Sequence, residues 1–595
     1  MLTAFFDSYY RLRPVTATFT GIHEHDHRLP DWSPEGLAAA ADDMKALRVA
    51  LDAARPPAAS LHDVAERDRQ LAISFLDIQI AEHESSGFQR GNPSLAVGEA
   101  IFGVIALMTR PFAPVAERAA SAIARLTALP AFLEGARRSI ARPVPDAWRF
   151  KCLRECQGAS ILLGDGIPKW IAAERIDDAP ACRLITAADA ARAAIDEFRT
   201  WLERSPGPPN RLRQGYGGRE GGHDVHDRTA ANYVRDTTAA NVRSVRLQPD
   251  HSHVADGGYG CGSDLFDLLL TRGHWCDRSR ASLLTDARTQ LDETLAVLEE
   301  RARRIAAGGW PEVQRRLLDA QPTREDYLPA YQRVWNACRE RALACDLVTW
   351  PDAPIRYVPI PVQTRDAAPF LYYLHYRSPA PFDRPATHDY VVTPIEAGMP
   401  ADEQQRRLRA TNTSAITLNH VIHHGAIGHH VQNAHAYVGP SEVGRVAAID
   451  GACRIGMFLG GTMAEGWACY ATDLMDEIGF LTPEESLAQQ HTRARLLARA
   501  VVDIELHQRT IEFEDAVALY RDRIGMPDEA ARAEACKNSM FPGTALMYWL
   551  GTDGLHQLRR ERQRVEGASF SLRRFHDRVL SYGSIPVALI ARVYA

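Results

Sequence analysis

The stretch Thr417–Ala436, TLNHVIHHGAIGHHVQNAHA, holds six of the chain's 22 histidines in 20 residues. They are His420, His423, His424, His429, His430 and His435, with Gly425 and Gly428 between the adjacent pairs His423-His424 and His429-His430. Imidazole is the commonest metal ligand and the side chain that titrates nearest neutrality. Crowded imidazolium ions would repel one another, and a bound metal explains how such a cluster stays neutral. Two ligand pairs are open. His420 and His424 are four apart and share a face of an α-helix. His423 and His429 are six apart and meet only if the helix bends, which Gly425 and Gly428 allow. Spacing alone favours the first pair, and either needs a third ligand from another helix.

Outward from this segment the chain reads as helical. From Ala401 to the end the apolar period is that of helices, with turns at Gly439-Pro440, Pro483 and Pro542-Gly543. Residues 354–395 change character: prolines, aromatics and β-branched residues, with apolar runs at Phe370–Tyr373 and Tyr390–Val392, predict a small sheet beside the site-bearing helices. Residues 35–205 are amphipathic helices, one capped by Ser33 with Pro34 in its first turn, and prolines 111, 114, 130, 143 and 145 mark places where helices meet. Residues 206–260 break the pattern with Gly, Arg, Asp and Asn and no apolar period, which predicts a flexible insertion. Its histidines 223, 226, 251 and 253 belong to a solvated loop on that composition. The expected organisation is therefore an N-terminal helical region (1–205), the insertion (206–260) and a helical metal-site region (261–595). The fold class is mainly α, with a small sheet.

Bulk composition narrows the function. The chain has 595 residues, 46% hydrophobic and 24% charged, with a net charge of −6, so no basic surface suggests nucleic acid. Lysine occurs only at positions 45, 151, 169 and 537. No run of 18 apolar residues predicts a membrane span, and MLTAFFDSYYRLRP lacks the pattern of a signal peptide. The ten cysteines form no Cys-x-x-Cys pair, which fits free buried thiols and a cytoplasmic setting.

The segment His423–Gln432 resembles the signature H-E-x-x-P-G-H-H-x-Q of the bacterial domain-of-unknown-function 885 family, whose members are regarded as relatives of HExxH-type zinc peptidases. Glu465, Gly466, Trp467, Ala468 and Tyr470 resemble its E-G-W-A-x-Y block. RAVVDIELH (499–507), FPGTALMYWLG (541–551) and the opening RPVTATFTGIHEHDHRLPDWS (13–33) are similar to other blocks, so the likeness spans nearly all but 206–260. It implies a mostly helical metallopeptidase-like fold and metal ligands at His423, His429 and Glu465, with His430 able to replace His429. Two imidazoles and one carboxylate leave positions open for water and substrate.

The chain departs from that pattern where the family has the glutamate that takes a proton from the attacking water: here stands His424. Ile427 replaces the signature's proline, and Lys537 an expected arginine. A neutral imidazole can serve as general base, can bind the metal and close its shell, or can mark a silent site. Tyr548 and His507, in the later blocks, are candidates to stabilise an oxyanion. Tyr372, Tyr373 and Tyr376 are candidates to line a groove, Trp467 is expected in the core, and His420 and His435 in supporting roles. The expected function is hydrolysis of a peptide or related amide bond in a small substrate by zinc-activated water. The alternatives are a catalytically silent metal binder and a non-haem iron site, since two histidines and a carboxylate also suit Fe2+ or another divalent ion.

Overall fold

The computed structural model describes residues 2–56, 59–85, 90–140, 143–205, 258–371, 378–449 and 454–594. The expected insertion lies outside them except for residues 258–260. The architecture is mainly helical with one two-stranded sheet, and the chain forms two compact units.

The first unit takes the described residues of Met1–Asp227, Pro359–Ala386 and Gly451–Arg454. Its helices include α1 (Pro34–Ala53), α2 (Pro93–Thr109), α3 (Val115–Ser139) and α4 (Asp178–Arg204). Ser33 caps α1 by accepting from Gly36 N at 3.0 Å, as its sequence position predicts. α2 is apolar on nearly every side, and α3 packs against both it and α4. Pro130 does not end a helix as expected; it lies inside the 25 residues of α3.

The second unit takes the described residues of Arg228–Val358, Thr387–Asp450 and Ile455–Ala595. Its principal helices are α5 (Arg280–Ile305), α6 (Tyr327–Ala344), α7 (His429–Val438), α8 (Gly461–Glu477), α9 (Pro483–His507), α10 (Asp528–Met540) and α11 (Met547–Glu566). A capping box between Thr482 and Glu485 opens α9. α8 and α11 cross at glycines: a Cβ at Gly466 would stand 2.5 Å from the Cα of Gly551. That close approach sets the Glu465 backbone beside the first turns of α11.

The sheet pairs β1 (Ile355–Pro359) with β2 (His388–Val392). The Phe370–Tyr373 run does not supply a strand at its start. Pro369 lacks the N–H a ladder needs, and Ala368–Phe370 forms a 3₁₀ turn. The sheet does lie against the histidine segment: the rings of Tyr357 and Tyr390 are 5.0 Å apart, and Tyr390 is 6.1 Å from His420.

Candidate metal centre

The histidine segment winds as a π-helix over Ile416–Gly425 and then turns into α7. Wide turns of this kind occur often at functional sites because they displace side chains from the regular helical path. Here the amide of Ala426 donates to Val421 O at 2.8 Å and that of Gly428 to Ile422 O at 2.9 Å. The chain thus folds back on itself, and a Cβ at Gly428 would overlap the carbonyl oxygen of His423. Only glycine permits that approach, and the approach carries His429 round to face His423.

Two tryptophans fix the turn from outside. Trp335 Nε1 donates to Gly425 O at 2.7 Å, and Trp467 Nε1 donates to Ile427 O at 2.8 Å. Trp467 is fully buried, as expected of a core residue, yet its indole also positions the backbone between His423 and His429.

Nε2 of His423 and Nε2 of His429 lie 3.4 and 3.5 Å from the same oxygen, Oε2 of Glu465 on α8. These separations are long for an N–H···O hydrogen bond. Two corners of a tetrahedron with metal bonds of about 2.0–2.1 Å stand roughly 3.4 Å apart. The donor set therefore fits a divalent cation of zinc's size. His424 joins the group: the ligand atoms of His423, His424 and His429 lie within 4.8 Å of one another. His424 Nδ1 donates to Asn419 O at 2.7 Å, which leaves Nε2 as the acceptor.

The electrostatics agree with that protonation. Burial lowers the pKa of His423, against the pull of Glu465. Burial, together with His423 and His429, holds His424 well below the usual imidazole value. For Glu465 burial acts upward, but His429 and His423 outweigh it and keep the carboxyl well below its ordinary range. A lowered pKa at His423, at His424 and at the Glu465 carboxyl favours the neutral imidazole and ionised carboxylate forms that bind metal.

The remaining candidates separate clearly. His430 turns away and donates from Nε2 to Ala353 O at 2.6 Å, so of the two adjacent rings it is His429 that meets Glu465. The favoured one-turn pair does not form a ligand pair, because His420 Nδ1 is engaged with the Tyr390 hydroxyl at 2.9 Å. His435 donates to Thr349 O at 2.8 Å. His507 is fully buried, its Nδ1 accepting from Cys261 N at 3.3 Å and its Nε2 donating to Asn538 O at 3.1 Å. Both ring nitrogens are thus engaged, which removes His507 as an oxyanion partner. It also lies twelve residues along α9 from Arg495, the α9 side chain whose charge bears on His423, or about 18 Å of helix.

Tyr548 lies one turn before the Gly551 crossing, with the Arg499 guanidinium 5.0 Å from its ring. Tyr372, Tyr373 and Tyr376 lie outside the described residues. Sequence reasoning missed Trp335 and Arg495. Neither carries a motif signal, and only their proximity in the fold distinguishes them.

Two solved structures share this fold. A candidate lipoprotein of unknown function from Shewanella oneidensis is 21% identical, covers 100% of this chain and 98% of its own, and superposes with a TM-score of 0.71. A candidate lipoprotein from Colwellia psychrerythraea is 15% identical, covers 100% and 97%, and gives a TM-score of 0.72. No curated protein matches the chain. Among the described residues no helix is long and apolar enough to cross a membrane. The model of the family described as bacterial protein of unknown function, DUF885, matches residues 14–593, and the chain belongs to that family.

Proposed function

We propose that this chain is a metal-dependent hydrolase of a peptide or related amide bond in a small substrate. The observation that carries the reading is the meeting of His423, His429 and Glu465 at ligand-to-ligand distances. A divalent cation held there, zinc by its donor set, supplies a Lewis acid that polarises a carbonyl and makes water acidic. His424, its Nδ1 fixed on the Asn419 carbonyl, offers Nε2 to take the proton of the attacking water and return it to the leaving amine. Tyr548 is the group to steady negative charge on the carbonyl oxygen. His507 has no part. The likeness to HExxH peptidases, with an imidazole in the glutamate's position, belongs to this proposal. The cytoplasmic setting expected from the sequence gains no support from neighbours described as lipoproteins. Fractionation of source cells decides it.

A second reading has its own observation: the His424 donor lies in the same group as those of His423 and His429. As a fourth ligand it would close the shell, and closed four-ligand shells are structural. The His424→Ala protein separates the two. As general base, its loss leaves metal stoichiometry intact and lowers cleavage of short peptides about 10²–10⁴-fold. As ligand, its loss weakens the metal. A wild-type protein inert on peptide libraries, beside a His424→Glu variant that cleaves them, contradicts the hydrolase reading.

A further inference from the structure

The side chains of a strand point alternately to its two faces. In β2, His388, Tyr390 and Val392 are buried while Asp389 is exposed. The two ring-bearing members of the inward face meet the histidine segment on either side of its turn. The His388 ring lies 5.9 Å from that of His430, which follows the turn. The Tyr390 ring lies 6.1 Å from that of His420 and 6.5 Å from that of His424, both of which precede it. The Tyr390 hydroxyl and His420 Nδ1 are hydrogen-bonded at 2.9 Å. Behind Tyr390, Tyr357 of β1 packs on its ring at 5.0 Å, and Tyr331 of α6 packs on Tyr357 at 5.3 Å.

His424 is therefore held by more than its backbone contact. Its ring stands 4.7 Å from that of His423 and 5.3 Å from that of His429, and its Nδ1 donates to Asn419 O at 2.7 Å. One hydrogen bond fixes one atom of an imidazole and lets the ring swing about that atom. A second contact on the ring sets its plane. The Tyr390 ring supplies one, in an edge-to-face arrangement at 70°, and aromatic rings at such distances attract in that geometry. A tyrosine holds a neighbour well only when its own far end is held, and the bond to His420 does that.

We propose that Tyr390 is a positioning residue for His424, with His420 as the anchor of its hydroxyl. The inference rests on the hydrolase reading, in which His424 is the base, and it carries over to the reading in which His424 is a fourth ligand. It gives His420 and the small sheet a part in the metal centre. Its content is that Tyr390 acts on the chemistry through His424.

The test is a double-mutant cycle on the full-length zinc-loaded protein, with the tripeptide Ala-Ala-Ala as the probe of cleavage. Tyr390→Leu keeps apolar bulk and removes the ring. It is expected to lower kcat about 10–100-fold, the usual loss when a group that orients a metal-site residue is removed, with KM little changed. Made in the His424→Ala protein, the same substitution should cost nothing further, whereas a structural role costs as much in either background. Tyr390→Phe keeps the ring and removes the anchor, so it should lose less. His420→Ala should match it, and the two together should lose no more than either alone. Tyr390→Phe also runs the cycle should Tyr390→Leu not fold. Asp389→Asn, on the outward face of the same strand, is the control and should leave kcat unchanged.

Equal losses for Tyr390→Leu with and without His424 overturn the inference, and so does a wild-type kcat in Tyr390→Leu. Should the wild type cleave no peptide, the hydrolase reading fails and the same cycle is read in zinc affinity by titration against a chelator. A loss of about 10–100-fold in Tyr390→Leu that vanishes in the His424→Ala background then supports the positioning role. Equal losses in the two backgrounds, or none, overturn it.

Discussion

Two stretches of this chain are comparably rich in metal-ligating side chains, and their geometry differs. The first, His23-Glu24-His25-Asp26-His27, offers five such residues in a row; the second runs from His423 to His430. Among the described residues, only the second gathers at least three of them at metal-binding distances. In the first, the chain leaves its helix at Gly21, in a left-handed conformation, and runs through an irregular turn. There the His23 ring stacks on Phe112 at 3.8 Å, and its two nitrogens reach Asp26 and Asp383, each at 2.8 Å. That histidine sits between two carboxylates and holds a proton. The second stretch has a turn that closes on a carbonyl, so its histidines face one another and a single carboxylate, and burial lowers the pKa of His423 and His424. Composition marks both stretches; backbone closure distinguishes them.

The largest effect that could break this contrast is on metal affinity. Alanine at His423, His429 or Glu465 should weaken zinc binding by more than the roughly 10–100-fold that loss of an outer partner costs. Alanine at His23 should leave it unchanged. Equilibrium titration with a competing chelator measures both, and a loss confined to His23→Ala would reverse the comparison.

Closure itself is tested by Gly428→Ala. The added methyl must displace the His423 carbonyl, so we expect about 1–3 kcal/mol of lost stability in denaturant unfolding. Zinc affinity should fall with it, since His429 can no longer reach the site. A variant with unchanged affinity would show that the turn is not what brings the ligands together.

A smaller effect belongs to the first stretch. Burial lowers the pKa of His23, but the hydrogen bonds its ring donates to Asp26 and Asp383, together with their charges, outweigh it and push the value up to about 9. The unfolded chain releases that proton near 6.5. The stabilisation is therefore complete below pH 6.5 and is lost as pH rises through about 9. Its size is on the order of 2 kcal/mol after discounting for the ring's partial exposure. Unfolding free energy measured from pH 6 to 10 should fall in the wild type and fall less in His23→Gln.

The helices were largely legible in the sequence because apolar period, caps and turn residues agree, as at Ser33 and Thr482. The two strands were placed less well: proline and aromatic content marks residues 354–395 as different but does not show where a ladder can form. Residue type and resemblance point to His423, His429 and Glu465, which the fold brings together, while simple spacing points to His420 and His424. Spacing failed because it assumes a regular α-helix, and this segment winds wider and then reverses at Gly428. His507 was misread for another reason. A block of sequence can match a pattern because the core needs it, and nothing in the chain tells a buried, doubly hydrogen-bonded imidazole from a reactive one. Trp335 and Arg495 carry no local signal at all.

The central claim is that one divalent ion binds at His423, His429 and Glu465. An anomalous difference map from zinc-soaked crystals, collected on both sides of the zinc edge, tests it most directly. The account predicts one strong peak per chain within about 2.0–2.2 Å of both imidazole Nε2 atoms and a Glu465 oxygen. A map with no peak there, or with its peak at His23, His25 or His27, would contradict it.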